Sequence, residues 1–592
     1  MTFTQAELFA YGTIIVVALL LRLGGLGAQP LSDAEASQAL VSWRLYQAQA
    51  PQPGTYSPLL ATLNLVGFAM FGASDFVARL WPALFGVLLV VLPLGLRRQL
   101  GVEGAVAASA LLATSSTALY VSRTASGDVM ALTGGLAVMV GLVNWLEAVA
   151  AADGSWSGGR HVVLTAGGLI LLFTSAPVAY SVLLLLLIFG LAVVVGARRH
   201  RHQLSSARTA LAAEVTTRKT AYVGLLLMAV AVATGLFFNM RGVGAAVNLP
   251  VEWARGFVVP AELRSAGLQY PAAFLLSLYE PLILFAGLFG LASALVRRSR
   301  FDLLLVGWFF GGLVLDLLRS GRSPGESLVS LVPAALLAGS ALGQLVVSLR
   351  RDAAWPREGL MTGAGLVICT YGYVQLMMYT RVADGAVWLA LAAPIMLVIL
   401  VLVLWQLQDG VAALRGAALT VLVAMAAFSV ATAVRLNYSP QFLPVQPMAG
   451  NAAGEGISDL VDTLRYASTE RVRDPSLVAG LGDRSVGAAV EWQLREFSNL
   501  RWVDSADHLV WYLKNSGTEA EAPTVIVTDT ADLLSDIAYA GQDFVIRSSG
   551  RPQLTSVPSL IRWIVLRDAQ PMPLDRAILW VKQPSDAVAT VP

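Results

Sequence analysis

Apolar stretches long enough to cross the hydrocarbon core of a bilayer, about 20 residues each, follow one another through most of this chain. An opening run extends to Leu26, broken only by Arg22. Others cover approximately Phe76 to Leu96, Ala105 to Val121, Val129 to Val149, Val162 to Ser175, Val178 to Val195, Tyr222 to Phe238, Ala272 to Val296, Leu303 to Leu318, Leu328 to Val347, Leu360 to Tyr379, Val387 to Leu404 and Val411 to Val434. Backbone in lipid must satisfy its own hydrogen bonds, so such a chain is confined to a bundle of helices. The expectation is a polytopic α-helical membrane protein with about 13 transmembrane helices, the Val162 to Val195 pair being divided at Pro177. Only 13% of the 592 residues are charged, roughly half the share in soluble domains, which excludes a wholly soluble fold. No Lys or Arg precedes the opening run, as a secretory leader would require, so it reads as a retained first span.

Basic clusters orient the bundle. With the N-terminus in the cytoplasm, Arg97-Arg98, Arg198-Arg199-His200-Arg201, Arg297-Arg298-Ser299-Arg300 and Arg350-Arg351 all follow inward-going spans, as the positive-inside bias requires. An odd number of spans then puts everything after Arg435 outside. The outer loops are 27–75, whose piece Leu59 to Phe71 is short for a span and reads as an interfacial helix, and 239–271. The two parts differ in charge: 27 basic and 19 acidic residues up to Arg435, 13 and 19 beyond it. The expected division is a membrane domain over 1–436 and an extracytoplasmic α/β domain over 437–592. The latter opens on Pro440, Pro444 and Pro447. Short β-rich runs follow at Leu477 to Leu481, Leu500 to Val503, Thr524 to Thr528, Phe544 to Arg547, Ile561 to Leu566 and Ile578 to Val581, alternating with helical patterns at Val486 to Phe497 and Asp507 to Leu513. No basic patch with interleaved aromatics occurs, which argues against a nucleic-acid partner. The single Cys369 and four scattered histidines offer no zinc-ligand spacing.

Three polar constellations interrupt the apolar text near its outer side. In Leu31-Ser-Asp-Ala-Glu-Ala36, Asp33 and Glu35 could take a proton from an attacking hydroxyl or hold a divalent cation; Ser32 and Glu35 also have capping-box spacing. In Ser122-Arg-Thr-Ala-Ser-Gly-Asp128, Asp128 either completes that site or caps the following helix, and Arg123 pairs with a carboxylate or reaches to the interface. In Asp316-Leu-Leu-Arg-Ser-Gly-Arg-Ser-Pro-Gly-Glu326, Arg319 and Arg322 offer the planar, permanently charged forks that suit a lipid phosphate. The alternative there is pairing between Asp316 and Arg319 one turn apart. Arg241, Arg255 and Arg264, with Glu252 and Glu262, belong to the second outer loop. Gly480-Leu-Gly-Asp-Arg-Ser-Val-Gly487 has neither dinucleotide nor Walker spacing and reads as a strand-to-helix turn.

The order of these elements resembles the GT-C membrane glycosyltransferases, in particular the protein O-mannosyltransferase relatives of glycosyltransferase family 39. The resemblance rests on Phe71-Gly-Ala-Ser-Asp-Phe-Val-Ala-Arg-Leu-Trp-Pro-Ala-Leu-Phe-Gly86, Leu21-Arg-Leu-Gly-Gly-Leu26, Tyr56-Ser-Pro-Leu59 and Ser122-Arg123 with Asp128. Val490-Glu-Trp-Gln-Leu-Arg495 and Ile561-Arg-Trp-Ile564 are similar to the tail of an archaeal and bacterial subgroup described as flippase-associated. The resemblance implies a polyprenyl-phosphate sugar donor and transfer to a protein, glycan or lipid acceptor at the extracytoplasmic face of the cell membrane. It also implies carboxylates (Asp33, Glu35, Asp128) at the reacting hydroxyl and arginines (Arg123, Arg319, Arg322) at the lipid phosphate. No cofactor is required on this reading; a cation at Asp33 and Glu35 is the less favoured variant. The sequence departs from the family's contiguous Asp-Glu-Ala, since Ala34 precedes Glu35-Ala36 and Asp33 is displaced by one residue, about 100° on a helix. Ser126 and Gly127 stand where many relatives have Arg and Pro, and the family's loop histidine is absent. These departures keep open a non-catalytic relative, a lipid-linked-sugar flippase component or scaffold whose tail binds a membrane partner.

Overall fold

The computed structural model describes residues 4–51, 54–151, 159–197, 212, 216–258, 270–352, 355–382, 386–407, 410–454, 456–515, 523–530 and 539–583. Its N-terminal part is helical: α1 (Gln5–Leu23), α2 (Asp33–Tyr46), α3 (Pro58–Phe71), α4 (Asp75–Val91), α5 (Val102–Thr114), α6 (Ser116–Ser122), α7 (Asp128–Ala151), α8 (Gly159–Ser175), α9 (Ala179–Ala197), α10 (Lys219–Ala233), α11 (Gly242–Arg255), α12 (Ala272–Tyr279), α13 (Pro281–Arg297), α14 (Arg300–Leu318), α15 (Glu326–Asp352), α16 (Trp355–Val382), α17 (Ala386–Leu407) and α18 (Gly410–Tyr438). Among the described residues, eight helices are long and apolar enough to cross a membrane, or up to ten if the bent pairs α5–α6 and α12–α13 each count as one span. The other three expected stretches lie on the shorter apolar helices α8, α9 and α10. This is a multi-pass membrane protein. The Arg198 to Arg201 cluster, Glu262 and Arg264 lie outside the described residues.

Local chemistry sets the helix starts. The Thr4 hydroxyl accepts from the Glu7 N–H while Glu7 accepts from the Thr4 N–H, a complete capping box. Ser57, Ser74 and Ser299 cap α3, α4 and α14. At one end of the bundle Arg97 pairs with Glu7 at 3.0 Å and Arg350 with Glu103 at 3.1 Å, so two of the basic clusters share an end with the start of α1. α3, expected at the interface, buries Leu59, Leu60, Ala61, Asn64 and Phe68 and leaves Met70 and Phe71 exposed.

Both bent spans are stitched at their breaks. α5 and α6 meet at 61° and α12 and α13 at 109°, and the buried Glu280 between the latter pair accepts from the Ser115 hydroxyl and the Thr117 N–H, both at 2.7 Å. A broken helix within a membrane is tolerated where such groups re-satisfy the freed backbone.

The chain ends in a six-stranded mixed sheet of order β1-β5-β6-β4-β2-β3: β1 (Asn451–Ala453), β2 (Gly480–Asp483), β3 (Leu500–Val503), β4 (Val525–Thr528), β5 (Tyr539–Gln553) and β6 (Gln570–Lys582). β2 runs parallel to β3 and β4; the other pairings are antiparallel. Its helices include α19 (Gly456–Val472), α20 (Ala488–Gln493), α21 (Ala506–Asn515) and α22 (Val557–Leu566). Ile561 to Leu566, expected as a strand, is therefore helical. Ser556 caps it and Pro558 sits in its first turn, start signals that override the β propensity of the Ile and Val residues.

One hydrophobic core joins this sheet to α2, α3 and the start of α4: Leu31, Ala36, Leu40, Phe68 and Val77 pack with Leu460, Leu464, Trp492 and Phe544. Two of the sequence stretches that carry the resemblance, 71–86 and 490–495, are each other's partners. Trp492 is fully buried, 5.8 Å from the Phe68 ring, and its indole N–H donates to Asp75 at 2.6 Å. The Gln493 amide donates to the same carboxylate at 2.9 Å, Arg495 donates to the Ala73 carbonyl at 2.8 Å, and Arg44 pairs with Glu491 at 2.5 Å.

Close helix packing relies on small residues. A Cβ on Gly343 of α15 would lie 2.5 Å from the backbone nitrogen of Gly104 on α5, and one on Gly339 would lie 2.6 Å from the Ala108 Cβ, the small-xxx-small approach common in membranes. Gly343→Leu is expected to force these backbones apart and cost roughly 1–3 kcal/mol, lowering the thermal midpoint in detergent. Gly359→Leu on α16, with nothing within 4 Å of its Cβ, should leave the midpoint near that of the parent protein.

Candidate active site

α2 starts where the bundle meets the sheet, and two residues of spacing turn its two carboxylates to different partners. Glu35 is buried and takes five donors. Its Oε1 accepts from Arg79 Nε at 2.7 Å and the Ala125 N–H at 2.9 Å; its Oε2 accepts from the other Arg79 arm at 2.9 Å and from the Ser32 N–H and hydroxyl, both at 3.0 Å. Arg79 spends its remaining donors on the carbonyls of Leu26, Gln29 and Pro30. Asp33 instead meets the sheet: its Oδ1 accepts from the Ala489 N–H at 2.8 Å and its Oδ2 lies 3.1 Å from Arg547, which also pairs with Asp575 at 3.1 Å. Gly487 makes this approach possible. Its φ is +111°, and a Cβ there would lie 2.6 Å from Asp33 Oδ1. The expected strand-to-helix turn is present, between β2 and α20.

Asp128 begins α7 and is buried. It lies against the turn between α14 and α15: Asp128, Ser323 and Pro324 line one cavity, and a Cβ on Gly325 would stand 2.3 Å from the Asp128 Cβ. The second and third constellations thus form one unit. In that turn Arg319 is buried, pairs with Glu326 and lies 5.7 Å over the Phe257 ring. Asp316 accepts from the Ala272 N–H at 2.7 Å and lies 3.5 Å from Arg322, rather than pairing with Arg319.

A cavity of about 520 Å³ opens between bundle and sheet, and its walls include Asp33, Glu35, Asp128, Arg322 and Arg547. Four of the six expected site residues or phosphate ligands therefore share one chamber. The other two do not line it. Arg319 is committed to Glu326, and Arg123 donates to the carbonyls of Leu21, Arg22, Gly24 and Gly25 while lying 4.6 Å over the Tyr438 ring. Arg123 faces a smaller cavity of about 50 Å³ with Glu35, Arg79 and Tyr120. Among the described residues, no three His, Cys, Asp or Glu side chains gather in metal-binding geometry.

Sequence reasoning missed Arg79 and Arg547. Arg79 sits inside the quoted Phe71 to Gly86 stretch, yet its partner is 44 residues away. Arg547 carries no local signal, because only the tertiary fold brings β5 to α2.

Comparison with known proteins places this arrangement. The structure is similar to that of ArnT from Cupriavidus metallidurans in the apo state, with a TM-score of 0.56 and 16% identity over 98% of this chain and 100% of that one. The same protein bound to undecaprenyl phosphate matches at a TM-score of 0.49 and 16% identity, covering 97% and 99%. The archaeal oligosaccharyltransferase AglB from Archaeoglobus fulgidus, in complex with an inhibitory peptide and a dolichol-phosphate, matches at 0.47 and 13% identity, covering 89% and 69%. No protein-family model and no curated protein matches the sequence. The fold is that of apo ArnT. At this identity the likeness to apo ArnT establishes architecture; chemistry has to come from the cavity.

Burial pushes the Glu35 carboxyl up, but Arg79 and the N–H donors pull it down further, so it lies below its ordinary value of 4.5. A depressed folded-state value means that the unfolded chain takes up the proton first. The contribution to stability is full above about pH 4.5 and is lost as the pH falls through the folded value. Glu35→Gln is expected to cost about 3–5 kcal/mol at neutral pH by leaving Arg79 buried without its counter-charge. It should also flatten the acid limb of the thermal midpoint measured from pH 3 to 7. An acid limb as steep as that of the parent protein would show that another carboxylate carries it.

Proposed function

We propose that this chain is an integral-membrane glycosyltransferase that passes a sugar from a polyprenyl-phosphate donor to an acceptor hydroxyl at the extracytoplasmic face. The observation that carries the reading is the single chamber lined by Asp33, Glu35, Asp128 and Arg322, which brings carboxylates and a cation together at the edge of the bundle. The GT-C resemblance and the family 39 and flippase-associated motifs favour the same reading. So does the likeness to apo ArnT, a protein also seen bound to undecaprenyl phosphate. On this proposal the N-terminus is cytoplasmic, and residues 437–592 form an extracytoplasmic domain roofing the site.

The chemistry follows from charge. Asp33, partly exposed to the cavity, takes the acceptor hydroxyl proton as its oxygen attacks the anomeric carbon. The bond from that carbon to the phosphate oxygen breaks, and the departing polyprenyl phosphate carries the negative charge. Arg322 and Arg547 face that charge across the chamber. Asp128 orients the acceptor or the sugar, and Glu35 acts through Arg79 to hold α2 in register. Arg123 and Arg319 support the walls, leaving Arg322 as the expected arginine that reaches the donor.

With purified protein and labelled polyprenyl-phosphate sugars, Asp33→Asn is expected to slow transfer by about 10²–10⁴-fold. Arg322→Met should slow it by about 10²–10³-fold, and Asp128→Asn should also lower it. Parent-like rates in all three would sink the site. The engagement of Asp33 by Ala489 and Arg547 favours one alternative, a non-catalytic relative in lipid-linked-sugar flipping. Donor retention with no transfer by the parent protein to hydroxyl acceptors would support it.

A further inference from the structure

α22 belongs to the C-terminal sheet region but does not behave as a helix of a water-exposed domain. Val557, Leu560 and Ile564 are exposed, the first by 63%, and together with the half-exposed Ile561 they form one stripe at i, i+3, i+4 and i+7. Arg562, on a different face, is paired with Asp568. Only part of the apolar surface of the helix is used within the protein: Trp563 is buried and donates to the Val445 carbonyl at 3.1 Å.

The helix is pinned to the spans. Its C-cap residue Arg567 is buried, donates to the Leu278 carbonyl at 2.7 Å and lies 5.1 Å over the Tyr279 ring, at the bend of α12–α13. Arg435, at the end of α18, donates to the Val565 carbonyl at 2.7 Å. Beside these contacts the bend opens a groove of about 270 Å³ lined by Leu278, Pro281, Met425, Phe428 and Ile564. Ile564 therefore belongs both to the stripe and to a groove whose other walls are spanning helices. α18, whose Met425 and Phe428 wall the groove, exposes Val423, Val430 and Val434, and α16, which packs against α22, exposes Val374 and Met378.

We infer that α22 is an interfacial helix: it lies in the headgroup plane of the bilayer that the bundle crosses, with its stripe in the leaflet and the groove beneath Ile564 filled by a lipid hydrocarbon chain. The occupant follows from the groove, because Ile564 of the stripe shares it with α18 and the α12–α13 pair, helices long and apolar enough to cross a membrane. An apolar face at the level of a bilayer interface is stabilised by burial among the acyl chains, while Arg562 stays with the headgroups. The consequence is a second attachment of the C-terminal region, on lipid, in addition to its protein core with the first loop. This inference is independent of the proposed catalysis.

The test uses the full-length protein in phospholipid nanodiscs, with Cys369→Ser as background and nitroxide labels on Leu560→Cys, Ile564→Cys and Arg562→Cys. Collision with membrane-soluble oxygen should exceed collision with a water-soluble nickel chelate at 560 and 564, and the ratio should invert at 562. Equal ratios at the three positions would overturn the inference. So would labels at 560 and 564 shielded from both reagents, since that would mark protein, such as a second copy, over the stripe. If a stripe variant does not fold, Val557→Cys reads the same face.

Discussion

The buried pair of Glu35 and Arg79 is the interaction on which the site depends. A carboxylate and a guanidinium removed from water are costly unless nearly every lone pair and N–H is used. Here they are used, on groups drawn from the segment between α1 and α3, α4 and the turn before α7. Each donor fixes one more backbone segment. Once α2 is set by this pair, helical geometry aims Asp33 away from it and towards the sheet, and the Ala125 N–H ties the turn leading to Asp128 to the same carboxylate. The cavity is the space left between segments that one ion pair has positioned.

A second constraint is the mutual docking of residues 490–495 and 71–75. Asp75 begins α4 and also receives the Trp492 indole and the Gln493 amide. One carboxylate therefore serves the helix start and the contact with the sheet. Arg79 lies one turn further along the same helix, so the contact that seats the sheet and the pair that seats α2 share a rigid element. Asp33 meets the sheet region through Ala489 and Arg547, while Glu35 and Arg79 are bonded within the helical part. The chamber thus has one wall anchored in the bundle and one wall carried by the sheet.

Much of this was legible in the sequence, for identifiable reasons. Hydropathy located the stretches of all eight described helices long and apolar enough to cross a membrane, because lipid leaves the backbone few alternatives. It could not separate a helix that crosses from one that stops short. α3 reads as apolar whether its partner is a bilayer or Phe68's neighbour Trp492, and the 109° bend at Glu280 has no hydropathy signature beyond one acid before a proline. The carboxylates of the candidate site announced themselves as acids beside long apolar runs. The arginines divided less clearly. Arg123, Arg319 and Arg322 look equivalent in the text, and only the fold shows that two of them are spent on carbonyls or on Glu326. Ile561 to Leu566 misled because Ile and Val favour strands, whereas the start signal lay upstream at Ser556 and Pro558.

The displaced carboxylate takes on a specific meaning in this setting. Had the acid stood at position 34, next to Glu35, the helix would have turned it about 100° from the direction Asp33 takes. Asp33 instead points to the wall that the sheet carries, where Gly487 leaves room for it and Arg547 offers a positive charge. A shift of one residue in the first loop is matched by a glycine at positive φ and an arginine more than 500 positions along the chain. Asp33 at the start of α2 and Gly487 and Arg547 in the tail meet at one contact, so the tail forms part of the chamber.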